Sequence, residues 1–119
     1  MKPTLWILGL SVALGACATT TTVSRAPINS ASAAVQRAFE SGASQDDAAS
    51  PYLHSAREEL ARAEHFAQTG DGDRSRSMAM RAEADADLAC TMTRASIARN
   101  ETQSATRGAH AAEAAEGSQ

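Results

Sequence analysis

Aromatic residues are scarce in this sequence: they account for 3% of its 119 positions, with one tryptophan and one tyrosine. Proline occurs only three times, while alanine is the dominant residue. Strands favour branched and aromatic side chains, whereas alanine favours helices. The composition therefore predicts an all-α protein.

Basic residues are also few and scattered. Lysine and arginine together number 11 against 14 acidic residues, which gives a net charge of -3, and Lys2 is the only lysine. A nucleic-acid surface needs a basic face and usually aromatic side chains for stacking. We therefore predict that nucleic acid is not a partner.

The only long apolar run lies near the N-terminus, from Leu5 to Leu14, and follows the basic Lys2. A basic end, a short apolar segment and small residues form the order of an export signal. The run is shorter than the roughly 20 residues that span a bilayer permanently. Residues 1–16 are therefore predicted to be a signal peptide.

The segment Leu14-Gly15-Ala16-Cys17 resembles the bacterial lipobox. In that motif the cysteine receives S-diacylglycerol and N-acyl chains, and cleavage occurs directly before it. An ordinary signal peptide with an incidental cysteine, or an uncleaved anchor, are the alternatives. Each buried methylene contributes about 0.8 kcal/mol, so two or three chains hold a protein durably. We expect this lipid on Cys17 and no other cofactor.

The residue after the cysteine is Ala18 rather than aspartate. By resemblance to the sorting rule of Gram-negative lipoproteins, this favours the outer membrane, with the chain facing the periplasm. Residues 17–27, rich in threonine and closed by Pro27, have no apolar face and are predicted to be a tether. Fully extended, the tether would reach about 30 Å.

Helical spacing of apolar residues predicts a short helix from Ile28 to Phe39. Ser50 and Pro51 match a helix start, with serine as the capping hydroxyl, and the two glycines of segment 69–73 supply left-handed turn conformations that stop this helix. A further helix is predicted from about Asp73 to Glu101.

We interpret the two long helices as an antiparallel hairpin with coiled-coil-like packing, preceded by the short helix. The hairpin domain covers residues 28–101, and residues 102–119 are predicted to be a low-complexity, frayed or disordered tail. The predicted core of the last helix is a stripe with Leu88 and Ala95 beside it: Met78, Ala82, Asp85, Ala89, Met92 and Ser96. So thin a core predicts self-association or a helical partner, and the alternative is a lone, loosely packed hairpin.

Two segments are similar to the domain-of-unknown-function family 4398: SPYLHSAREELARAE at 50–64, followed by GD at 70–71, and RAEADADLA at 81–89. The likeness covers roughly Ala31 to Ala98. It implies a small alanine-rich bacterial lipoprotein with a helical hairpin, located in the cell envelope, sometimes alongside OmpA-like peptidoglycan-binding proteins. The resemblance implies no activity.

Cys90 is the one thiol left if Cys17 is acylated. It is either a small core residue or, in an oxidising compartment, a site for an intermolecular disulfide. His54, His65 and His110 are too far apart to share a helical turn as zinc ligands, so no metal site is predicted. The aspartates of segment 71–73 are interpreted as turn and cap residues.

The sequence has no nucleophile elbow, phosphate-binding glycine loop or compact carboxylate pair, so we predict that the protein is not an enzyme. The first hypothesis is a structural or adaptor lipoprotein of the envelope that docks on itself or on another envelope protein. The alternative is a ligand-binding or sensor module with a small apolar site formed by Tyr52, Phe66 and Met78.

Overall fold

The computed structural model describes residues 22–117, which form three α-helices. Helix α1 covers Ala26–Glu40, α2 covers Ser50–Gln68 and α3 covers Gly72–Glu116. The predicted all-α fold is confirmed. The predicted signal peptide and the lipobox with Cys17 lie outside the described residues.

Helices α2 and α3 run antiparallel, as predicted. The Ser75 hydroxyl donates to the Ala63 carbonyl at 2.9 Å, and further along the pair an Arg81 Nη2 lies 2.9 Å from Glu59 Oε1. Residue numbers thus fall along α2 as they rise along α3. The turn between the helices needs Gly70, whose φ of 81° lies in the left-handed region.

Helix α1 packs alongside α3 in the parallel direction. Ser30 donates to Glu83 at 2.7 Å, and Arg37 lies 3.2 Å from Asp87, so residue numbers rise together. The short preceding helix is therefore the third member of a bundle that goes up, down and up again.

The core of this bundle is made almost wholly of alanine. Of the 14 buried apolar residues, 11 are alanines, and Leu53 and Ile28 are the two large aliphatic ones. Side chains this small let helix backbones approach closely, so the buried contact comes from many short side chains.

The predicted stripe of α3 is partly wrong. Among its six residues only Ala82 and Ala89 are buried, and Leu88 and Ala95 are both exposed. The buried face of α3 therefore carries smaller side chains than predicted. Both α1 and α2 cover α3, and only small residues fit where the three helices meet. Its members are Ser75, Ala79, Ala82, Ala86, Ala89, Cys90 and Thr93.

Two of the predicted turn details also need correction. Ser50 is the first helical residue of α2 rather than its cap; the carboxylate of Asp46 instead accepts from the backbone N–H groups of Ala48 and Ala49, at 2.9 and 3.0 Å. Gly72 begins α3 and is not among the glycines with positive φ. Asp71 caps α3 by accepting from the Arg74 N–H, as the sequence suggested.

The last helix does not end near Glu101 as predicted, and the segment beyond it, predicted to be frayed or disordered, is helical. Helix α3 continues without interruption to Glu116. The segment has no proline and is rich in alanine, and the single Gly108 costs only about 1 kcal/mol relative to alanine. At 1.5 Å per residue, the 45 residues of α3 form a rod about 67 Å long.

Candidate functional site

The largest feature that the fold presents to a partner is the part of α3 that α1 and α2 leave uncovered. Every residue from Ile97 to Gly117 is exposed. We call residues 97–116 the α3 extension. It is the natural candidate for a functional surface, because it adds nothing to the bundle's own core.

The extension and the segment that precedes α1 lie at opposite ends of the bundle. A Cβ on Gly72, at the start of α3, would lie 3.6 Å from Cγ2 of Val23. The chain that leads back toward Cys17 therefore meets the bundle at the α2–α3 turn. The extension begins at the other end, beyond the loop between α1 and α2.

That loop is held against α3 at the base of the extension. The side chain of Ser96 hydrogen-bonds to the Asp46 carboxylate and, with the backbone N–H of Ala49, lowers the pKa of Asp46. The positive charge of Arg99 acts in the same direction. The carboxylate thus joins the end of the bundle to the first turn of the extension.

Cys90 is a free thiol and lies in the core, with 7% of its surface exposed. It packs in the cluster that includes Leu53, Ala56 and Ala86. In this conformation its sulfur is not presented to a second chain. Of the two interpretations that the sequence left open, the fold places Cys90 in the position of the core residue.

The structure does not bring together the three residues of the predicted ligand site. Tyr52 and Phe66 lie 14 residues apart on α2, about 21 Å along its axis. Met78 packs against the cluster of buried residues that contains Ile28. Phe66 lies beneath the guanidinium of Arg74, whose Cζ is 5.7 Å from the centre of the ring. They therefore do not form one apolar surface.

The three histidines are likewise separate. His54 lies 3.2 Å from Glu58, and His110 lies 3.5 Å from Glu113. The ring of His65 is tilted by 55° from that of Phe66, with the ring centres 5.9 Å apart. Among residues 22–117, no group of three potential ligand side chains is placed to hold a metal ion.

Sequence reasoning missed a buried charge. The side chain of Glu59 is 5% exposed and pairs with Arg81, whose side chain is 64% exposed; the second carboxylate oxygen, Oε2, is buried with no hydrogen-bond partner in the protein. Glu59 lies three residues after Ala56 and four before Ala63, both buried. That spacing could have revealed it.

We expect Arg81→Met to destabilise the bundle, because it leaves the Glu59 carboxylate buried without its counter-charge. A buried charge that loses its partner typically costs 3–5 kcal/mol, and we expect about 1–2 here because the arginine is mostly in solvent. Thermal unfolding followed by circular dichroism measures the change. Arg62→Met is the matched control, because Arg62 pairs with Glu58 and both side chains are exposed. Equal melting temperatures for the two variants would contradict the prediction.

Within residues 22–117, no helix is both long and apolar enough to cross a lipid bilayer. In the comparison with known proteins, the sequence profile of a family described as a domain of unknown function, DUF4398, aligns with residues 26–115. No curated protein and no solved structure matches the chain significantly. The aligned region begins where α1 begins and includes nearly all of the α3 extension. The chain therefore belongs to the DUF4398 family.

Proposed function

We propose that this protein is a lipid-anchored structural or adaptor protein of the bacterial cell envelope, without catalytic activity. It is held at a membrane through Cys17, and the α3 extension is the part that engages another helical surface. The outer membrane, with the protein facing the periplasm, is the proposed location.

The proposal of an anchor is supported by the sequence. A basic residue, an apolar run and the segment Leu14-Gly15-Ala16-Cys17 follow in the order of a lipoprotein leader. The threonine-rich tether then separates the lipid from α1, which begins at Ala26.

The observation that carries the adaptor role is the exposed α3 extension. About 20 residues of helix lie beyond α1 and α2, roughly 30 Å in length. A solitary helix of this length is marginal in water, since most helical stability in proteins comes from packing. Packing against a partner would supply what the chain's own bundle does not.

Site-specific photocrosslinking in intact cells tests this role. A photoreactive residue at Ala105, in the exposed extension, is expected to give discrete protein adducts in the envelope fraction. The same residue at Glu64, which is exposed on α2, is the matched control and is expected to give none. A crosslinked band is then identified by mass spectrometry.

Two outcomes would count against the proposal. One is the absence of adducts from Ala105 in cells that accumulate the full chain. The other is recovery of the chain in the cytosolic fraction, which would contradict the envelope location.

A further inference from the structure

We propose that the outer face of α3 pairs antiparallel with the same face of a second copy of this chain. The inference deepens the adaptor role proposed above, on which it rests, by naming the partner. The outer face is defined by nine positions from Ala84 to Ala112 that alternate in spacing between four and three residues, all of them exposed.

The residues at these nine positions are one leucine, two threonines and six alanines. None is charged, although both charge signs are common elsewhere on α3. Spacing that repeats every seven residues over four heptads is the pattern of a left-handed coiled coil, about 42 Å long here. Leu88, 42% exposed, gives the face a large apolar residue, and Met80, 61% exposed, flanks the N-terminal end of the face.

The opposite face of α3 behaves differently, which shows that the pattern is not a general richness in alanine. Within the bundle that face is buried and small, ending with Thr93. Continued at the same spacing beyond the bundle, it becomes polar, with Asn100, Gln103 and Arg107. The inner face therefore loses its small side chains where its partners end, whereas the outer face keeps them along the whole rod.

Gly108 lies beside the outer face, at a flanking position of the heptad. A Cβ at this residue would meet no atom within 4 Å, so the chain's own packing does not require glycine there. Glycine in a helix costs about 1 kcal/mol relative to alanine. A close approach by a second helix gives that residue a role.

The charged residues on either side of the outer face select the antiparallel orientation. Arg94 and Glu101 lie on one flank of the face, and Arg99 lies on the other. In a parallel, in-register pair, Arg94 of one copy would face Arg99 of the other, twice, and no opposite charges would meet. In an antiparallel pair, residues of the same flank face each other. Arg94 and Glu101 lie seven residues apart on one flank. Arg94 of each copy can therefore face Glu101 of the other copy.

One antiparallel alignment of the two α3 helices pairs these opposite charges. It places Leu88 opposite Ala105 of the second copy and Ala95 opposite Ala98, and it forms two pairs between Arg94 and Glu101. The other flank then sets Arg99 against the uncharged Met92. Shifting by one heptad in one direction makes Glu101 face itself, and shifting in the other makes Arg94 face itself.

In the antiparallel pair the two segments that precede α1 lie at opposite ends of the rod, since Val23 of each copy lies beside the α2–α3 turn of its own copy. With both anchors in one membrane, the pair lies along the surface, within reach of the tethers. The outer face of α3 points away from α1 and α2, so the two bundles do not obstruct the contact.

Reversing the charge at Arg94 in one tagged copy and at Glu101 in a differently tagged copy tests the inference. The full-length chain is purified from membranes in mild detergent, and co-purification of the tags is measured at low salt. The wild-type chain is expected to pair. Arg94→Glu alone and Glu101→Arg alone should each self-associate roughly tenfold more weakly or worse, because like charges then face each other twice. Mixing the two variants restores both opposite-charge pairs and should recover association between the tags.

Arg107→Glu is the matched control, since it makes the same charge change on the exposed extension but on the inner face. It should pair as the wild type does. Monomeric wild-type chain would overturn the inference, as would crosslinks from the outer face to other proteins only. Single variants that pair normally, or a mixture that fails to recover, would overturn the antiparallel register.

Failure of this inference is distinguishable from failure of the proposed function. The lipid mass on Cys17 is measured on the same preparations and does not depend on the charges at Arg94 and Glu101. A lipidated, membrane-held chain that stays monomeric would refute the second-copy partner alone.

Discussion

We expect the Cys17→Ser variant to lose its lipid completely and to keep its leader uncleaved. Serine has no thiol to accept the diacylglycerol group, so neither the lipid nor the cleavage that follows it should occur. At about 0.8 kcal/mol per buried methylene, two or three acyl chains make attachment durable, and no other segment of the mature chain is proposed to replace them. Intact-mass analysis of membrane-extracted protein should show lipid mass on the wild type and none on the variant.

The second cysteine supplies the control. Cys90→Ser changes a thiol in the same chain but within α3, so lipid mass and membrane fractionation should match the wild type. Trp6 gives an independent readout, because it is the only tryptophan and lies in the leader. A mature protein with tryptophan fluorescence, or a Cys17→Ser chain that carries the same lipid mass as the wild type, would refute the anchor.

The presence of the helices followed directly from the sequence, because the helical spacing of apolar residues and the proline and glycine residues that limit a helix act locally. Pro51 and Gly70 marked the limits of α2, which begins at Ser50, directly before Pro51, and ends at Gln68. The end of α3 was missed because segment 102–116 has no apolar stripe facing the bundle, and the prediction equated helix with a buried face. Its alanine content and lack of proline favour a helix there, with Gly108 as its one weak position.

Which face of α3 is buried could not be predicted from hydrophobicity. The stripe was placed on the largest apolar side chains, such as Met78 and Met92, yet these are only half-buried at the edge of the bundle. The deciding factor was the third helix. Once α1 also packs against α3, the space at the centre admits only residues as small as Ala79 and Ala86.

The candidate site was predicted less well than the fold. Tyr52, Phe66 and Met78 were predicted to form one apolar site, but Tyr52 and Phe66 lie about 21 Å apart along α2. The uncovered surface of α3 follows instead from a difference in length: α1 has 15 residues, α2 has 19 and α3 has 45. That difference became visible only when the tail proved to be helical.

The second large effect that we expect is unfolding of the bundle by Ala56→Leu. Ala56 is fully buried on α2, in the cluster that contains Ala86 and Ala89 of α3 and Ala34 of α1. Three added carbons at this point have little space, because most members of the cluster are alanines on closely approaching helices. The helices must separate, and separating them removes contact along their whole length.

Overpacking a core typically costs 1–3 kcal/mol, and we expect the upper end, about 3 kcal/mol, because most of the cluster is alanine, whose side chain has no rotamer to change. For a domain of this size that lowers the melting temperature by roughly 10–20 °C. Ala61→Leu makes the same substitution at an exposed position of α2 and should shift the melting temperature by only a few degrees. The contrast tests the alanine core itself: a loosely packed bundle would accept leucine at Ala56 and gain stability from the added apolar surface. A melting temperature for Ala56→Leu at or above that of Ala61→Leu would therefore contradict the close approach of the three helices.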